Sequence, residues 1–379
     1  MLEQLLNRNY FVKVSPGKDV VISANLIRVH SNGKSNSNYN SDVCHPENYS
    51  TNGHCKKGIL LLPGMSEYKE SLAGLAEKLS GAVNSDDNSA ADNSAADKSA
   101  ADASKQECST LVMDLNGQGH STGNCYLEDI VYSIKDVARQ FKNELHLDKL
   151  GIYGNSLGGI AAGIAVSELN VEEPGFVSAL CLSSTLPSLR DYASEVMCSY
   201  LHDHPSFAEF GLKAFNLVQY VSNHFFRERT AKRDKEEHVR LSFGATKISN
   251  IKEFVEHVRT SPSLMDYASQ ISAPSMLIYG SKDPGVKMTL NNDTCSLRFD
   301  SESTNGLEKY GVPEKIKHLY CSLRSEKKTL IIVNGADHSL NVKTPEDCDF
   351  NAAPEYQWVK DEIKGFFDRH LSNGRQIIL

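Results

Sequence analysis

Hydrophobic residues along the chain fall into short, nearly unbroken runs, separated by longer stretches in which apolar positions recur every three or four residues. Eight of the runs read as strands: Tyr10 to Val14, Val20 to Val29, Gly58 to Leu62, Thr110 to Leu115, Lys149 to Tyr153, Phe176 to Leu182, Ser275 to Tyr279 and Thr329 to Val333. Most lack the alternation of a half-exposed strand, as strands covered on both faces must. Helical patterns lie between them, over Tyr68 to Leu79, Tyr126 to Leu145, Leu157 to Leu169 and Glu355 to His370. Strand and helix in alternation predict an α/β fold with a mostly parallel, eight-stranded sheet flanked by helices.

Four stretches break this rhythm. Residues 31–57 are nearly free of aliphatic side chains, and residues 84–105 carry a threefold imperfect Ser-Ala-Ala-Asp unit. Neither can bury enough apolar surface to order itself, so both read as polar inserts in loops. From 186 to 272 charged helical sequence such as NIKEFVEHVR replaces the strands and reads as a helical insertion over the sheet. The core then comprises residues 1–185 and 273–379. A less regular excursion runs from Met288 to Ser325, in which NNDTCSLRFDSESTNG reads as a loop.

The sharpest chemical signal is GIYGNSLGGIAAG, Gly151 to Gly163, where a strand meets a small-residue helix with Ser156 at the turn. A sharp strand-to-helix turn holds its central residue in a strained conformation, and side chains at Gly154 and Gly158 would collide with the neighbouring strand and helix. The helix also aims its first N–H groups and positive dipole end at the place where an oxyanion would form beside Ser156. A glycine-rich turn that binds phosphate or simply packs is the alternative. A serine nucleophile needs a base, and the base needs an acid to hold its tautomer. Both follow in chain order: Asp283 in GSKDPGV, directly beyond the strand SMLIY, and His338 in NGADHSL, directly beyond TLIIV. Asp337 is the rival acid, disfavoured because adjacent side chains rarely face each other well enough to bond.

With LLLPGMSEY, DLNGQGHSTG, GNSLGG, GSKD and GADH in view, the chain resembles the α/β-hydrolase superfamily, closest to its esterase, lysophospholipase and monoacylglycerol lipase group. The resemblance spans Gly58 to the C-terminus outside the inserts. It implies Ser156, Asp283 and His338 as a catalytic triad, and the backbone N–H groups of Leu157 and Met65 as the oxyanion hole. It also implies that 186–272 is a lid, whose apolar stripe includes Phe207, Phe210, Phe215, Phe225 and Phe226. Where the family usually shows His-Gly this chain has Pro63-Gly64, and Asn116 stands where Arg is usual. Gly64 and Glu67 match the Gly-x-x-Glu of the monoacylglycerol lipase pattern. The implied activity is cleavage of a medium- or long-chain acyl ester through an acyl-enzyme, with no metal or organic cofactor. An aminopeptidase or thioesterase of the same fold is the second reading, and a catalytically silent binding fold the third.

The resemblance implies a small-molecule acyl substrate as the partner, and composition argues against other partner classes. A net charge of −8, from 48 acidic and 40 basic residues, argues against a nucleic-acid binder. The N-terminal MLEQLLNRNYFVKVSPGKD is too polar for a signal peptide, no apolar run reaches transmembrane length, and nine scattered cysteines form no disulfide framework. A cytoplasmic protein is expected. Cys44-His45 with His54-Cys55 lie in a polar insert with non-standard metal-site spacing, and His202-Asp203-His204 resembles a ligand pair but, alternating within a helical region, reads as surface sequence.

Overall fold

The computed structural model describes residues 3–15, 18–29, 56–65, 67–81, 108–191, 241–243, 246–248, 251–290, 295–301, 305–340 and 354–372. Its elements in chain order are β1 (Glu3–Ser15), β2 (Lys18–Val29), β3 (Lys57–Leu62), α1 (Ala73–Ser80), β4 (Cys108–Met113), α2 (Leu127–Glu144), β5 (Lys149–Asn155), α3 (Ser156–Glu172) and β6 (Ala179–Ser183). Then come β7 (Leu241–Phe243), β8 (Thr246–Ile248), α4 (Ile251–Thr260), α5 (Met265–Ala268), β9 (Ser275–Gly280), β10 (Ser296–Asp300), α6 (Asn305–Lys309), α7 (Glu314–Ser322), β11 (Lys328–Val333) and α8 (Pro354–Leu371).

Nine strands form one sheet in the order β1-β2-β4-β3-β5-β6-β9-β11-β10. The run from β4 to β11 is parallel throughout, while β1, β2 and β10 join antiparallel. The parallel strands are apolar on both faces because helices cover both. In β3, Leu60 and Leu62 face the core beneath α2 and α3, and Ile59 and Leu61 face the core beneath α1 and α8. The helices present matching stripes: Ile130, Ile134, Val137 and Phe141 of α2 are fully buried at helical spacing. In α3 almost every residue is buried, and its small side chains let other elements approach closely: a Cβ on Gly163 would overlap Leu264.

All eight expected strands are present, and a ninth corrects the reading of NNDTCSLRFDSESTNG as a loop. SLRFD forms the edge strand β10, with Phe299 paired to Leu330 and the Tyr320 hydroxyl donating to the Phe299 carbonyl at 3.2 Å. SLRFD alternates polar and apolar, with Phe299 buried and Leu297 half-buried against the same core, but two apolar positions within a polar stretch are too short a signal to name a strand, and pairing with β11 completes it. Two boundaries also move. The helix expected from Tyr68 opens as a 3-10 turn, Lys69–Leu72, before α1, and the strand expected from Phe176 begins at Ala179, after a turn with Gly175 at φ 79°.

Within 186–272, α4 and α5 are helical as expected, and β7 and β8 add a small antiparallel pair. The aromatic stripe from Phe207 to Phe226 and the His202-Asp203-His204 cluster lie outside the described residues. So do both polar inserts apart from Lys56 and Lys57, and with them Cys44, His45, His54 and Cys55. At the C-terminal end of α4, His257 reaches the start of α2: its Nε2 accepts the Leu127 N–H at 2.6 Å, and its ring lies 4.7 Å from that of Tyr126. No helix among the described residues is long and apolar enough to cross a membrane.

Candidate active site

Strand β5 passes into α3 with no intervening loop, and Ser156, at the junction, has φ 50°. A non-glycine residue in that left-handed region is strained and persists only where its surroundings enforce it. Here the enforcement is steric. A Cβ on Gly154 would lie 2.5 Å from the Gly158 carbonyl oxygen, and a Cβ on Gly158 would overlap the carbonyls of Pro63 and Leu62. Both glycines are therefore required by backbone packing around the turn. Gly159 belongs with them, because a Cβ there would overlap the Thr185 hydroxyl.

The parallel sheet brings three sequence-distant side chains to this turn. Ser156 Oγ lies 2.9 Å from His338 Nε2, and His338 Nδ1 lies 2.8 Å from Asp283 Oδ2. A carboxylate beside Nδ1 places the ring proton there, which leaves Nε2 free to accept the serine hydroxyl. Asp283 is 2% exposed, and its other oxygen accepts the Gly285 N–H at 2.8 Å, so the carboxylate cannot swing away without losing both partners. Asp337 turns elsewhere: its Oδ1 accepts the Ser339 N–H at 2.9 Å.

The loops that carry Asp283 and His338 are bonded to each other. The N–H of Lys282 donates to the Ala336 carbonyl at 2.9 Å, the N–H of Ser281 to the Val333 carbonyl at 2.8 Å, and the N–H of Gly335 to Ser281 Oγ at 2.9 Å. Gly280 makes this approach possible, since a Cβ there would overlap the Ala336 and Asp337 carbonyls. Beneath them Tyr279 is fully buried, its hydroxyl donating to the Thr185 carbonyl at 2.6 Å, and burial pushes its pKa well above the usual phenol range. It is a structural donor, not an acid for chemistry near neutral pH.

The loop after β3 passes beside the serine. A Cβ on Gly64 would lie 3.2 Å from Ser156 Cβ, which puts Met65, one residue on, next to the turn. Leu157 lies in the first turn of α3, whose N–H groups have no carbonyl partner within the helix. The next segment is held by a buried charge pair that sequence reading missed. Asp114, fully buried at the end of β4, accepts the Lys69 N–H at 2.8 Å, Lys69 Nζ at 3.1 Å and the His120 N–H at 3.0 Å. Gly119, with φ 51°, leaves room for that carboxylate, while Gly117, with φ 68°, leaves room for the Asn124–Cys125 backbone. An acidic residue at a strand end followed by two closely spaced glycines, Gly117 and Gly119, was the available signal.

Among the described residues no group of three or more His, Cys, Asp or Glu side chains could hold a metal ion. Buried Cys125 and Cys181 have thiol pKa values pushed up by desolvation, Cys125 to about 12, so neither is a ready nucleophile.

The chain matches the family model described as serine aminopeptidase, S33, over residues 93–343, well over half its length. No curated protein matches it in sequence. Among solved structures it is similar to DcsB, in a complex with its substrate analogue, with TM-score 0.53 and 13% identity over 97% of this chain and 100% of that one. It is also similar to the Pyrococcus furiosus esterase Pf2001, with TM-score 0.50 and 14% identity over 97% and 92% of the two chains. A third likeness is to the α/β hydrolase GrgF from Penicillium sp. sh18, with TM-score 0.50 and 11% identity over 98% and 99%. At these identities the likenesses bear on the fold.

Proposed function

The chain belongs to the serine aminopeptidase S33 family of hydrolases, and on that premise we propose that it cleaves a carboxylic ester through an acyl-enzyme carried by Ser156. The observation that carries this reading is the unbroken relay from Ser156 Oγ through His338 to buried Asp283, at 2.9 and 2.8 Å, on a serine held at φ 50°. His338 Nε2 takes the hydroxyl proton as Oγ bonds to the carbonyl carbon, and the N–H groups of Leu157 and Met65 receive the negative charge on the carbonyl oxygen. His338 then gives its proton to the leaving oxygen, and the tetrahedral centre collapses to the acyl-enzyme. Water, deprotonated by the same nitrogen, attacks the acyl carbon and returns Ser156. Asp283 stays ionised and holds the imidazole. No step calls for a metal or organic cofactor.

The Gly-x-x-Glu match at Gly64 and Glu67 favours an acylglycerol or lysophospholipid as the ester. Residues 186–272 would supply the acyl pocket as a lid, between core segments 1–185 and 273–379. The five described cysteines are free thiols, in keeping with a cytoplasmic setting. A second reading, aminopeptidase, rests on the description of the family itself, and a thioesterase uses the same steps. The test pairs p-nitrophenyl esters of increasing chain length with an amino-acid naphthylamide, each run with wild type and Ser156→Ala. Ester turnover lost in Ser156→Ala, with little naphthylamide cleavage, is expected. Preferential naphthylamide cleavage makes it a peptidase, and fluorophosphonate labelling that survives Ser156→Ala removes the serine from the mechanism.

A further inference from the structure

Glu67 makes contacts that the triad does not explain. Its Oε2 accepts the Gly64 N–H at 2.5 Å, and its two oxygens lie 3.2 Å from Asn155 Nδ2. One carboxylate thus joins the loop after β3, immediately before Met65, to the residue immediately before the nucleophile. Asn155 occupies the N-cap of α3, where asparagine is among the most favoured residues because its side-chain oxygen accepts an N–H from the second or third helical residue. In α3 those residues are Leu157 and Gly158, yet Asn155 makes no such cap bond. Its amide is turned to Glu67 instead.

We propose that Glu67 is a positioning residue that sets both halves of the oxyanion hole, pinning the Gly64–Met65 backbone and drawing Asn155 off the N-terminus of α3 so that the Leu157 N–H stays open. The inference rests on the hydrolase reading above and adds a residue that touches no reacting atom. Its physical basis is competition: a capping Asn155 side chain and a developing oxyanion would need the same N–H. In Glu67→Ala the loop loses its anchor and Asn155 is released to cap, so donors are weakened, though not removed, on both sides of the hole.

The experiment measures kcat and KM on a p-nitrophenyl ester, together with the affinity of a trifluoromethyl ketone, whose serine adduct carries the oxyanion. Glu67→Ala should lower kcat by about 10- to 100-fold, a fraction of the loss from deleting a hole donor outright, and weaken the ketone in parallel, with KM within about threefold. Removing the released competitor in Glu67→Ala/Asn155→Ala should recover at least about fivefold of that kcat, which loss of a merely structural contact would not do. Glu67→Gln can still accept from Gly64 and engage a flipped Asn155 amide, and should stay within about threefold of wild type. Asn155→Asp, nearly isosteric, sets a second carboxylate against Glu67 and turns a strong cap onto α3; it should fall by about tenfold even if Glu67→Ala fails to fold. The proposal is overturned if Glu67→Ala or Asn155→Asp keeps wild-type kcat and ketone affinity, or if the double variant is no faster than Glu67→Ala. A wild-type protein inert to esters, naphthylamide and fluorophosphonate overturns the hydrolase reading instead, and this inference with it.

Discussion

The turn from β5 into α3 and the contact of α4 with α2 belong to the same side of the sheet but are held by different physics. At the turn, backbone meets backbone: Gly154, Gly158 and Gly159 sit where a single added carbon would overlap a carbonyl or hydroxyl, and Ser156 is locked at φ 50°. At the second contact one imidazole supplies the polar joining, with His257 Nε2 accepting the Leu127 N–H and Nδ1 lying 3.3 Å from a Glu128 oxygen. The first arrangement is steric and insensitive to solution conditions. The second depends on a protonation state, and it lies in the segment proposed to cover the site. The proposed function therefore sets a rigid candidate nucleophile beneath a segment whose contact with the core depends on pH.

The largest effect should come from the rigid region. Ser156→Ala should lower ester turnover by about four to six orders of magnitude, with little change in Tm, as measured by steady-state kinetics and thermal unfolding. Asp283→Asn should follow at about 10⁴-fold, because an amide cannot stabilise the imidazolium and favours the wrong tautomer. Asp337→Asn should stay within about threefold, since an amide oxygen can still accept the Ser339 N–H. Equal losses in the two Asn variants would dissolve the distinction between the carboxylates.

Gly158→Ala tests the steric half of the comparison directly. Overlap with the Pro63 and Leu62 carbonyls should cost about 1–3 kcal/mol of stability. It should also displace Leu157 and lower kcat by about 10- to 100-fold. An alanine variant with wild-type Tm and kcat would show that the turn is looser than its contacts imply.

The smallest effect should come from the adjustable contact. Burial lowers the His257 pKa, outweighing the opposing pull of Glu128 and Asp129. The folded pKa then lies below the unfolded value of about 6.5, so the unfolded chain takes up the proton first. Stability from this contact is full above about pH 6.5 and is lost as pH falls through the folded pKa. Protonation also removes the acceptor for Leu127 and sets a cation at the N-terminus of α2. Hydrogen exchange of the Leu127 amide should therefore speed up relative to its neighbours between pH 7.5 and 5, and His257→Gln should flatten that trend. A Leu127 amide that tracks its neighbours across this range would leave His257 a passive packing residue.

The parts legible in the sequence share one property: they depend on neighbours along the chain. Short continuous runs of β-branched and aliphatic residues, set between helical patterns, name strands buried on both faces. Ser156, Asp283 and His338 stand out because each immediately follows a strand, in one order, and parallel strands deliver their ends to one edge of the sheet. The edge strand β10 was hidden because its alternation is only two apolar positions long, Leu297 and Phe299, and pairing with β11 does the rest. Asp114 and Lys69 were hidden because a buried charged pair has no periodicity to betray it.

Chain order and side-chain type were enough to determine the α/β architecture, the sharp turn at Ser156, and the strand-end loops that carry His338 and the two candidate aspartates. Only the tertiary structure decided which aspartate faces the imidazole, and that Asn155 turns from its own helix toward Glu67. Those choices rest on the direction of single side chains across contacts as distant in sequence as 55 and 88 residues. Local sequence sets where a backbone goes, whereas the direction of a polar side chain is set by whichever partner the fold brings within hydrogen-bonding distance.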